Sequence, residues 1–303
     1  GALHPLPQIP APPIGEDAVK TLDIVLVNYN STEELLRCLE SIRGALDTAQ
    51  ATIVVVDNAS TDSWQQVTAA YPFVHLIRNA ENKGFASAVN TGIRQGTAPY
   101  IVLLNPDTLV PPGFFRGALE VMDRHPGVAI LGPKILDPDG ATQGSARAFP
   151  TPLTALFGRT ALLTRLFPNN PLSRRNILSG AADDREARPV DWVSGACMVV
   201  RREALGRIGP MDEQFFMYWE DADWCKRAWE SGWTVLYDPT LSLTHEVGIS
   251  SRTNPIRSAF EFHCSAFKLY RKHSKRTTFL LMVPILLGGL ALRFLLVVLR
   301  RPG

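Results

Sequence analysis

Polar side chains follow three apolar segments in the first third of the chain, and their types are suited to ligand binding. The segments Asp23–Asn28, Ile53–Asp57 and Tyr100–Leu104 are short and apolar, which is typical of buried parallel strands. The polar side chains at or just after their ends are Asn28, Tyr29, Asn30, Asp57, Asn58, Ser60, Asn105 and Asp107. Because ligands of parallel sheets bind at the carboxyl ends of the strands, we expect these side chains to face one ligand.

The turn after the first strand indicates a nucleotide that is held without a glycine-rich loop. Asp57 can accept a hydrogen bond from a pyrimidine N–H or a ribose hydroxyl, and Tyr29 can lie against a base. A dinucleotide enzyme would show a GxGxxG run here, whereas Asn28–Thr32 contains no glycine. A diphosphate then needs another counter-charge. We therefore predict a divalent metal, Mg²⁺ or Mn²⁺, as the cofactor.

A second group of candidate residues lies much later in the chain. Glu220 and Asp221 begin a segment, up to Ser231, that is predicted to be a helix. By helical spacing, Asp221 shares one stripe with Trp224, Cys225 and Ala228. This stripe should turn Asp221 towards the protein, and the positive end of the helix should favour the ionised carboxylate that a general base needs. An ordinary acidic first turn is the alternative.

The elements that position these residues alternate between strand and helix. Helices are predicted from Ser31 to about Arg43, over Ser63–Ala70 and over Phe85–Gln95, with a further strand at Val74–Arg78. The order predicts an α/β fold, a Rossmann-like, mostly parallel sheet flanked by helices. The later elements are a strand region at Val190–Val200, a short helix from Arg202 and a late strand at Thr234–Tyr237.

The composition is that of an ordinary globular protein and narrows the function classes. Hydrophobic residues make up 46% of the chain and charged residues 20%. The net charge of +2 supplies no basic field, so no nucleic acid partner is expected. The four cysteines form no CxxC pair, which argues against a disulfide framework or a zinc site and favours a reducing compartment.

Both ends of the chain differ from its centre. Residues 1–20 form a proline-rich lead-in without the apolar run of a signal peptide. Phe279–Leu299 carries Arg293 as its only charge, and its length is close to the roughly 20 residues of a transmembrane helix. Pro284, the Gly288–Gly289 pair and Arg293 weaken this prediction, and the alternative is a helix that lies in the membrane interface or packs on the main domain. Basic residues precede the segment, so the positive-inside tendency places the main domain in the cytoplasm.

Five ordered motifs resemble glycosyltransferase family 2 and, within it, bacterial rhamnosyltransferase-like enzymes of surface-polysaccharide assembly. The motifs are VDNASTD (56–62), NKGFASAVNTGI (82–93), NPD (105–107), VSGACMVVRREAL (193–205) and FFMYWEDADWCKRA (215–228), with His245 beyond them. The resemblance covers about residues 22–275. It implies a GT-A fold, an inverting single displacement, a nucleoside-diphosphate sugar donor and a divalent metal.

The resemblance also implies a division of the chain and the place where it works. We expect a catalytic domain at 21–250, with a nucleotide-sugar half at 21–110 and an acceptor half at 111–250, then a basic helical connector at 251–276 and a membrane-associating helix at 277–303. The expected location is the cytoplasmic face of a bacterial inner membrane. Residues 147–190 either rest against the bilayer or pack in the core.

The resemblance implies positions for four residues at the centre of the reaction. Asp107 stands at the last position of the metal-binding DxD element; a simple turn and helix cap is the alternative interpretation of the motif. Asn105 stands at the first position, where it offers only a neutral amide oxygen. Asp221 corresponds to the general base that deprotonates the acceptor. His245 corresponds to a histidine that helps to bind the metal.

The remaining candidates contact the two substrates. On the donor side, backbone N–H groups of Lys83, Gly84 and Phe85 are expected to approach the donor, and Asn90 to hold it. On the acceptor side, the candidates are Trp192, Gly195, Ala196, Trp219 and Glu220. The small residues and the tryptophans could equally be core packing.

The substrates follow from the resemblance in order of preference. The expected donor is dTDP-rhamnose first, a UDP-sugar second and GDP-mannose third, and the expected acceptor is a lipid-linked or polysaccharide glycan. Two other functions stay open at this point. A nucleotidyltransferase of the same fold would need a glycine- and lysine-rich loop after the first strand, which is absent. A non-catalytic, membrane-attached nucleotide or glycan binder stays open because Asn105 offers only a neutral amide.

Overall fold

The computed structural model describes residues 22–46, 50–150, 185–246 and 255–299. The first part alternates strand and helix: β1 (Leu22–Asn28), α1 (Thr32–Ala45), β2 (Ala51–Asp57), α2 (Gln65–Ala70), β3 (His75–Arg78), α3 (Phe85–Ile93) and β4 (Tyr100–Leu104). Strands β1 to β4 are parallel, with Asn28 opposite Asp57 at the carboxyl ends of β1 and β2. The predicted parallel α/β arrangement is confirmed, with helix ends displaced by one or two residues.

The second part is more mixed. It contains β5 (Thr108–Leu109), α4 (Phe114–Arg124), β6 (Val128–Leu136), β7 (Ala146–Arg147), β8 (Arg188–Pro189), β9 (Trp192–Val193), β10 (Cys197–Arg201), a 3₁₀ turn (Arg202–Ala204), α5 (Leu205–Ile208), α6 (Glu220–Glu230), β11 (Thr234–His245), α7 (Pro255–His273) and α8 (Arg276–Leu299). The main sheet has the order β3-β2-β1-β4-β10-β6-β11-β5, and β8 pairs with β11. Strands β7 and β9 form a separate pair.

Two apolar cores cover the two faces of this sheet. Alternate residues of β1 point to opposite sides, as the period of a strand requires. Leu22, Ile24 and Leu26 pack in the core beneath α1 and α4. Val25 and Val27 pack in the core beneath α3 and α6. Because both faces are covered, β1 is buried along its whole length, which explains its continuous apolar run.

The late strand is much longer than the sequence pattern predicts. The prediction ended it at Tyr237, directly before Asp238 and Pro239. In the structure β11 continues to His245. The chain forms a bulge between Asp238 and Ser242, and after the bulge β11 pairs again with the parallel strand β6, one residue further along β6. Asp238 Oδ1 accepts hydrogen bonds from the backbone N–H and the hydroxyl of Thr240, which close the bulge.

The predicted strand region Val190–Val200 is two strands separated by a turn. Trp192 and Val193 pair with β7, whereas Cys197 to Arg201 pair antiparallel with β4. The turn between them contains Ser194, Gly195 and Ala196. Gly132 is the reason for the close approach here, because a Cβ at this position would lie 2.5 Å from Val193 Cβ. The four cysteines are free thiols, so the expectation of no disulfide is confirmed.

The C-terminal helices α7 and α8 pack against each other and against the α/β domain. Rings of the two helices meet edge to face, with Phe267 and Phe279 centroids 5.6 Å apart. Ser265 and Lys268 on α7 donate hydrogen bonds to backbone carbonyls of the segment before α6. Within the described ranges, no helix combines the length and the apolar character that crossing a membrane requires.

A buried carboxylate joins α7 to α6. Asp223 is fully buried, and three cationic or basic groups surround it: Arg227 Nε at 2.9 Å, Lys272 Nζ at 2.8 Å and His273 Nε2 at 2.7 Å. Burial alone would raise the pKa of Asp223. The hydrogen bonds from His273 and Lys272 more than offset burial and lower the pKa of Asp223 to about 2.

This cluster predicts a specific loss of stability. Asp223→Asn should lower the free energy of unfolding by about 3–5 kcal/mol, because it leaves Lys272 and His273 without their buried counter-charge. Since the pKa of Asp223 is depressed, its contribution is present above about pH 4 and is lost as the pH falls through about 2. Urea denaturation of both proteins at several pH values measures both effects.

The matched control is Glu230→Gln. Glu230 contacts His273 at 3.5 Å from a side chain that is 52% exposed, so its loss should cost no more than about 1 kcal/mol. Equal losses in the two variants would contradict a special role for Asp223.

Candidate active site

A cleft of about 730 Å³ lies at the carboxyl ends of the central strands. The turns after β1, β2 and β4 form one side of it, and the turn before β10 and the start of α6 form the other. The predicted site residues that line it are Tyr29, Asn30, Asn58, Gly84, Phe85, Asn105, Asp107, Trp192, Gly195, Ala196, Trp219, Glu220, Asp221 and His245. Stretches of chain more than a hundred residues apart therefore meet in one cavity.

Three of the predicted nucleoside-binding residues lie beneath the cleft rather than in it. Asn28, Asp57 and Ser60 are each at most 2% exposed. Asn28 Nδ2 donates to Asp57 Oδ1 at 3.0 Å and to Ser60 Oγ at 3.2 Å. Asp57 Oδ2 accepts from Ser60 N and from Arg78 Nε. This network joins the ends of β1 and β2, and it supports Tyr29, Asn30 and Asn58, which do line the cleft.

The backbone N–H groups of the loop before α3 are already bonded to the protein. The N–H of Lys83 donates to Asn58 Oδ1, that of Gly84 to Asn82 Oδ1, and that of Phe85 to the Phe216 carbonyl. The expectation that these groups approach the donor is therefore wrong for this structure. Gly84 has φ +90°, and a Cβ there would lie 2.5 Å from the Phe216 carbonyl oxygen, so this close contact requires glycine.

Asn90 also has a structural position. Its Nδ2 donates to the Met211 carbonyl at 2.8 Å and to Glu213 Oε1 at 3.0 Å, and its Oδ1 accepts from Met211 N. The side chain is 2% exposed and does not line the cleft. The sequence-based expectation that Asn90 holds the donor is corrected: it anchors the segment that leads to α6.

Asp107 and His245 come together at one end of the cleft. Strand β5 pairs with the end of β11, with His245 opposite Thr108, and Glu246 N donates to the Asp107 carbonyl at 2.9 Å. Asp107 Oδ1 lies 3.1 Å from His245 Nε2. This oxygen is buried and accepts no hydrogen bond from the described residues. Asn105 Nδ2 lies 3.3 Å from the same imidazole nitrogen.

These atoms fit a hard divalent cation. Two ligands held at right angles by Mg²⁺ or Mn²⁺, at about 2.1 Å each, are about 3 Å apart, which is the separation of Asp107 Oδ1 and His245 Nε2. Among the described residues, no group of three His, Cys, Asp or Glu side chains converges. Such a cation would therefore take its remaining ligands from substrate phosphates and water, as Mg²⁺ sites commonly do.

Asp221 lies at the other end of the cleft, in the first turn of α6. Its Oδ2 accepts a hydrogen bond from Gly195 N at 2.9 Å, and its Oδ1 accepts one from Ala222 N at 2.8 Å. The predicted stripe is confirmed, because Trp224, Cys225 and Ala228 are completely buried. Asp221 itself is only partly exposed, and it faces the cleft.

Burial, rather than the helix terminus, dominates the charge of this carboxylate. Burial raises the pKa of Asp221, and the hydrogen bonds from Gly195 and Ala222 and the charge of Arg147 only partly oppose it. Burial and the charge of Asp221 together raise the pKa of Glu220 well above its ordinary value. The helix terminus favours the ionised carboxylate, as expected, but burial outweighs its effect on the pKa of Asp221. A raised pKa suits a general base that works near neutral pH.

The two ends of the cleft are joined through the turn before β10. Gly195 N bonds the Asp221 carboxylate, and the neighbouring Ala196 carbonyl accepts a hydrogen bond from Asn105 N at 3.0 Å. A Cβ on Gly195 would lie 3.5 Å from Asp221, so the turn lies directly against the carboxylate. The separation between the metal end and the base end is therefore set by one short stretch of backbone.

Aromatic rings form the wall next to Asp221. Trp219 lies 5.9 Å from Trp192 and 5.3 Å from Phe262 of α7, measured between ring centroids. Trp219 Nε1 and Glu220 Oε2 are buried, and no described residue bonds them. Tyr218 and Trp219 both have positive φ, at 69° and 71°. Such strain costs about 1–3 kcal/mol per residue, and here it turns the start of α6 into the cleft.

Among the lining residues that the sequence analysis missed, three contact predicted site residues. Gln143 contacts His245, Arg147 lies over the Trp192 ring at 5.1 Å, and the Phe262 ring packs at a tilt against Trp219. None belongs to a motif, and each reaches the cleft only through tertiary packing. The alternatives proposed for 147–190 concern residues that lie mostly outside the described ranges.

Comparison with known proteins identifies the family. Residues 23–209 match the family model described as glycosyl transferase family 2. The chain belongs to glycosyltransferase family 2. It is therefore a glycosyltransferase, and this decides against nucleotidyl transfer and against a binder without catalytic activity.

Two relatives within the family are rhamnosyltransferases. The chain is 33% identical over 261 residues to the N-acetylglucosaminyl-diphospho-decaprenol L-rhamnosyltransferase of Mycobacterium tuberculosis strain H37Rv, covering 81% of this chain and 82% of the relative. It is 25% identical over 261 residues to the dTDP-rhamnosyl transferase RfbF of Shigella flexneri, covering 82% of this chain and 79% of the relative.

Solved structures share the fold at low sequence identity. The mannosyltransferase PcManGT from Pyrobaculum calidifontis, in complex with GDP-Man and Mn²⁺, superposes with a TM-score of 0.52 at 19% identity, covering 89% of this chain and 69% of that one. GalNAc-T7 with UDP, GalNAc and Mn²⁺ superposes with a TM-score of 0.56 at 17% identity, covering 76% and 43%. This likeness bears on the fold alone.

The electrostatics of Asp221 predict a pH dependence. The value of kcat/KM for transfer should rise with pH through the raised pKa of the Asp221–Glu220 pair, because only the ionised carboxylate accepts a proton. Arg147→Met should move this acid limb to higher pH, because the cationic side chain lowers the pKa of Asp221. Rate profiles of the two proteins against pH measure the shift.

Arg188→Met is the control for the loss of an arginine. Arg188 lies over the Tyr237 ring and does not line the cleft, so this variant should leave the limb in place. A limb that stays in place, or moves to lower pH, in Arg147→Met would contradict the assignment.

Proposed function

We propose that the enzyme transfers a rhamnosyl group from dTDP-rhamnose to a hydroxyl of a lipid-linked glycan, with inversion at the anomeric carbon. The observation that carries the proposal is the single cleft with Asp107 and His245 at one end and Asp221 at the other. The printed names of the two rhamnosyltransferase relatives support the donor, and the Mycobacterium relative's name supports a diphosphate-lipid acceptor. UDP-sugars and GDP-mannose are second and third choices.

In this mechanism Asp221 is the general base. The acceptor hydroxyl oxygen attacks the anomeric carbon, the bond from that carbon to the diphosphate oxygen breaks, and the hydroxyl proton moves to the Asp221 carboxylate. The hydrogen bonds from Gly195 and Ala222 fix both carboxylate oxygens in position. Attack from the side opposite the diphosphate inverts the anomeric configuration, which suits a cleft whose base and metal ends are separate.

Asp107 and His245 would hold a divalent cation, and Asn105 could add its amide oxygen after rotation of the side chain. When bound, Mg²⁺ or Mn²⁺ would neutralise charge on the departing diphosphate. On the other side of the reaction centre, the rings of Trp192, Trp219 and Phe262 offer apolar faces to an acceptor sugar. The unbonded Trp219 Nε1 and Glu220 Oε2 are suited to its hydroxyl or acetamido groups.

The test is transfer with defined substrates. The enzyme is incubated with dTDP-rhamnose, Mn²⁺ and N-acetylglucosaminyl diphospho-polyprenol, and the lipid product and released dTDP are measured by mass spectrometry and chromatography. We expect an acceptor with one added deoxyhexosyl group, and rates reduced by about 10²–10⁴-fold in Asp221→Asn. UDP-sugars and GDP-mannose are assayed in parallel, so that donor choice is tested separately.

Asp212→Asn is the matched control, because Asp212 binds Lys272 outside the cleft. It should retain transfer. Transfer that survives in Asp221→Asn, or product with a retained anomeric configuration, would contradict the mechanism.

We also propose that α7 and α8 hold the enzyme on the cytoplasmic face of a bacterial inner membrane, where a lipid-linked acceptor would be presented. Leu280, Leu287 and Leu295 of α8 are 62%, 49% and 51% exposed, and their spacing places them near one another on one side of the helix. Three basic residues, Arg271, Lys275 and Arg276, lie at the turn between the helices. Leucines beside basic residues are suited to a surface of anionic lipid.

Vesicle flotation tests this attachment. The wild-type enzyme should float with vesicles that contain an anionic phospholipid and less with neutral ones. A variant with Leu280, Leu287 and Leu295 replaced by Ser should remain with the soluble fraction, because less apolar surface enters the interface. Trp229→Ala, which removes an exposed apolar side chain from α6, is the control and should float like wild type. Equal flotation of the leucine variant would refute the proposed surface.

A further inference from the structure

The orientation of the Gln143 side-chain amide is fixed by its neighbours. Gln143 follows β6 and is 8% exposed. One of its terminal atoms lies 2.8 Å from the His245 carbonyl oxygen and 2.9 Å from Asp137 Oδ1. A carbonyl oxygen and a carboxylate oxygen only accept hydrogen bonds, so this terminal atom is the amide nitrogen. The other terminal atom, Oε1, is therefore the carbonyl oxygen.

This orientation decides which nitrogen of His245 carries a proton. Gln143 Oε1 lies 3.1 Å from His245 Nδ1. Because an amide oxygen cannot donate, Nδ1–H must be the donor in this hydrogen bond. In the neutral imidazole the other nitrogen, Nε2, then presents a lone pair. Asn105 Nδ2, at 3.3 Å, is correctly placed to donate to that lone pair.

The lone pair of Nε2 faces another acceptor. Asp107 Oδ1 lies 3.1 Å from it, is buried, and accepts no hydrogen bond from any described side chain or backbone group. Two acceptor atoms at this distance repel each other in a partly buried site unless positive charge lies next to both. The side chains of Asp107 and His245 are only 9% and 12% exposed, so water screens this repulsion weakly.

We propose that Gln143 is a positioning residue for metal binding. It holds His245 in the tautomer with the proton on Nδ1 and turns Nε2 towards Asp107, so that a divalent cation meets two prepared ligand atoms. Its amide nitrogen also bonds the His245 backbone carbonyl, so that one side chain fixes both the ring and the backbone of the ligand. The inference rests on the metal site of the proposed function. Partners behind a ligating histidine are expected to change metal affinity by about 10–100-fold.

Two measurements on the full chain test this role. The first is ¹⁵N NMR of histidine-labelled, metal-free protein, in which His245, assigned by comparison with a His245→Gln sample, should show a protonated Nδ1 and an unprotonated Nε2. The second is a titration with Mn²⁺, followed by the loss of the free-ion electron paramagnetic resonance signal. Gln143→Met, which has similar length and no polar atoms, should bind Mn²⁺ about 10–100-fold more weakly than wild type.

Gln95→Met is the matched control, because the exposed side chain of Gln95, just after α3, hydrogen-bonds only the Thr91 carbonyl among the described residues. It should bind Mn²⁺ like wild type. An Nε2-protonated tautomer in the wild-type protein, or an unchanged Mn²⁺ affinity in folded Gln143→Met, would overturn the inference. The tautomer measurement needs no variant, so it decides the matter even if Gln143→Met is unstable.

The outcomes separate this inference from the proposed function. If wild type binds no Mn²⁺, both the metal site and the role of Gln143 are wrong, whereas rhamnosyl transfer is judged by its own assay. If wild type binds Mn²⁺ and Gln143→Met binds it equally well, the role of Gln143 alone is wrong.

Discussion

The pairing of the end of β11 with the two-residue strand β5 is the constraint on which the site depends. It places His245 opposite Thr108 and so next to Asp107. The bulge in β11 makes this register possible. From Asp238 to Ser242 the strand β11 advances by four residues, while the paired strand β6 advances by one. The end of the strand is then fixed from outside, since Arg37 of α1 makes two hydrogen bonds to the Glu246 carboxylate. Without that register the two predicted metal ligands would belong to separate parts of the sheet.

At the opposite end of the cleft, the pKa values of three neighbouring carboxyl groups depend on their burial and on the charges next to them. Asp221 and Glu220 lie under aromatic rings, so burial raises both of their pKa values. Asp223, only two residues later, has a lowered pKa because Lys272 and His273 approach it from α7. Acids in the same helix turn therefore differ in kind: Asp221 and Glu220 face the cleft with raised pKa values, whereas Asp223 forms a buried ion pair that joins α6 to α7. Asp223 holds α7 in place, and α7 contributes Phe262 to the aromatic wall of the cleft.

The sequence allowed the parallel half of the fold to be predicted because each of its elements has a local signal. Continuous apolar runs mark β1, β2 and β4, and their polar ends mark the mouth of the cleft. The motifs identified Asp107, Asp221 and His245, and the structure brings these three to one cavity. Their chemical roles remain predictions, as do the domain boundaries and the cellular location.

Other features could not be found because they depend on contacts distant in sequence. Asp238–Pro239 predicts the end of a strand, and only pairing with β6 shows that the strand continues through a bulge. Asn90 and the N–H groups of residues 83–85 are hydrogen-bonding groups of the kind that bind ligands. In the structure they bond other parts of the protein instead, namely the loop before α6 and the side chains of Asn58 and Asn82. Gln143 belongs to no sequence motif. Its importance is visible only in the structure, where two acceptors orient its side-chain amide.

The central claim is that one cleft holds the donor diphosphate at Asp107 and the acceptor hydroxyl at Asp221. A crystal structure of the enzyme with dTDP and Mn²⁺, with the ion located by anomalous scattering, measures this most directly. The account predicts one Mn²⁺ in contact with Asp107 Oδ1, His245 Nε2 and the diphosphate, with the Asp221 carboxylate open to the same cavity. An ion or nucleotide bound away from Asp107 and His245, or a bound nucleotide that separates Asp221 from the cavity, would contradict it.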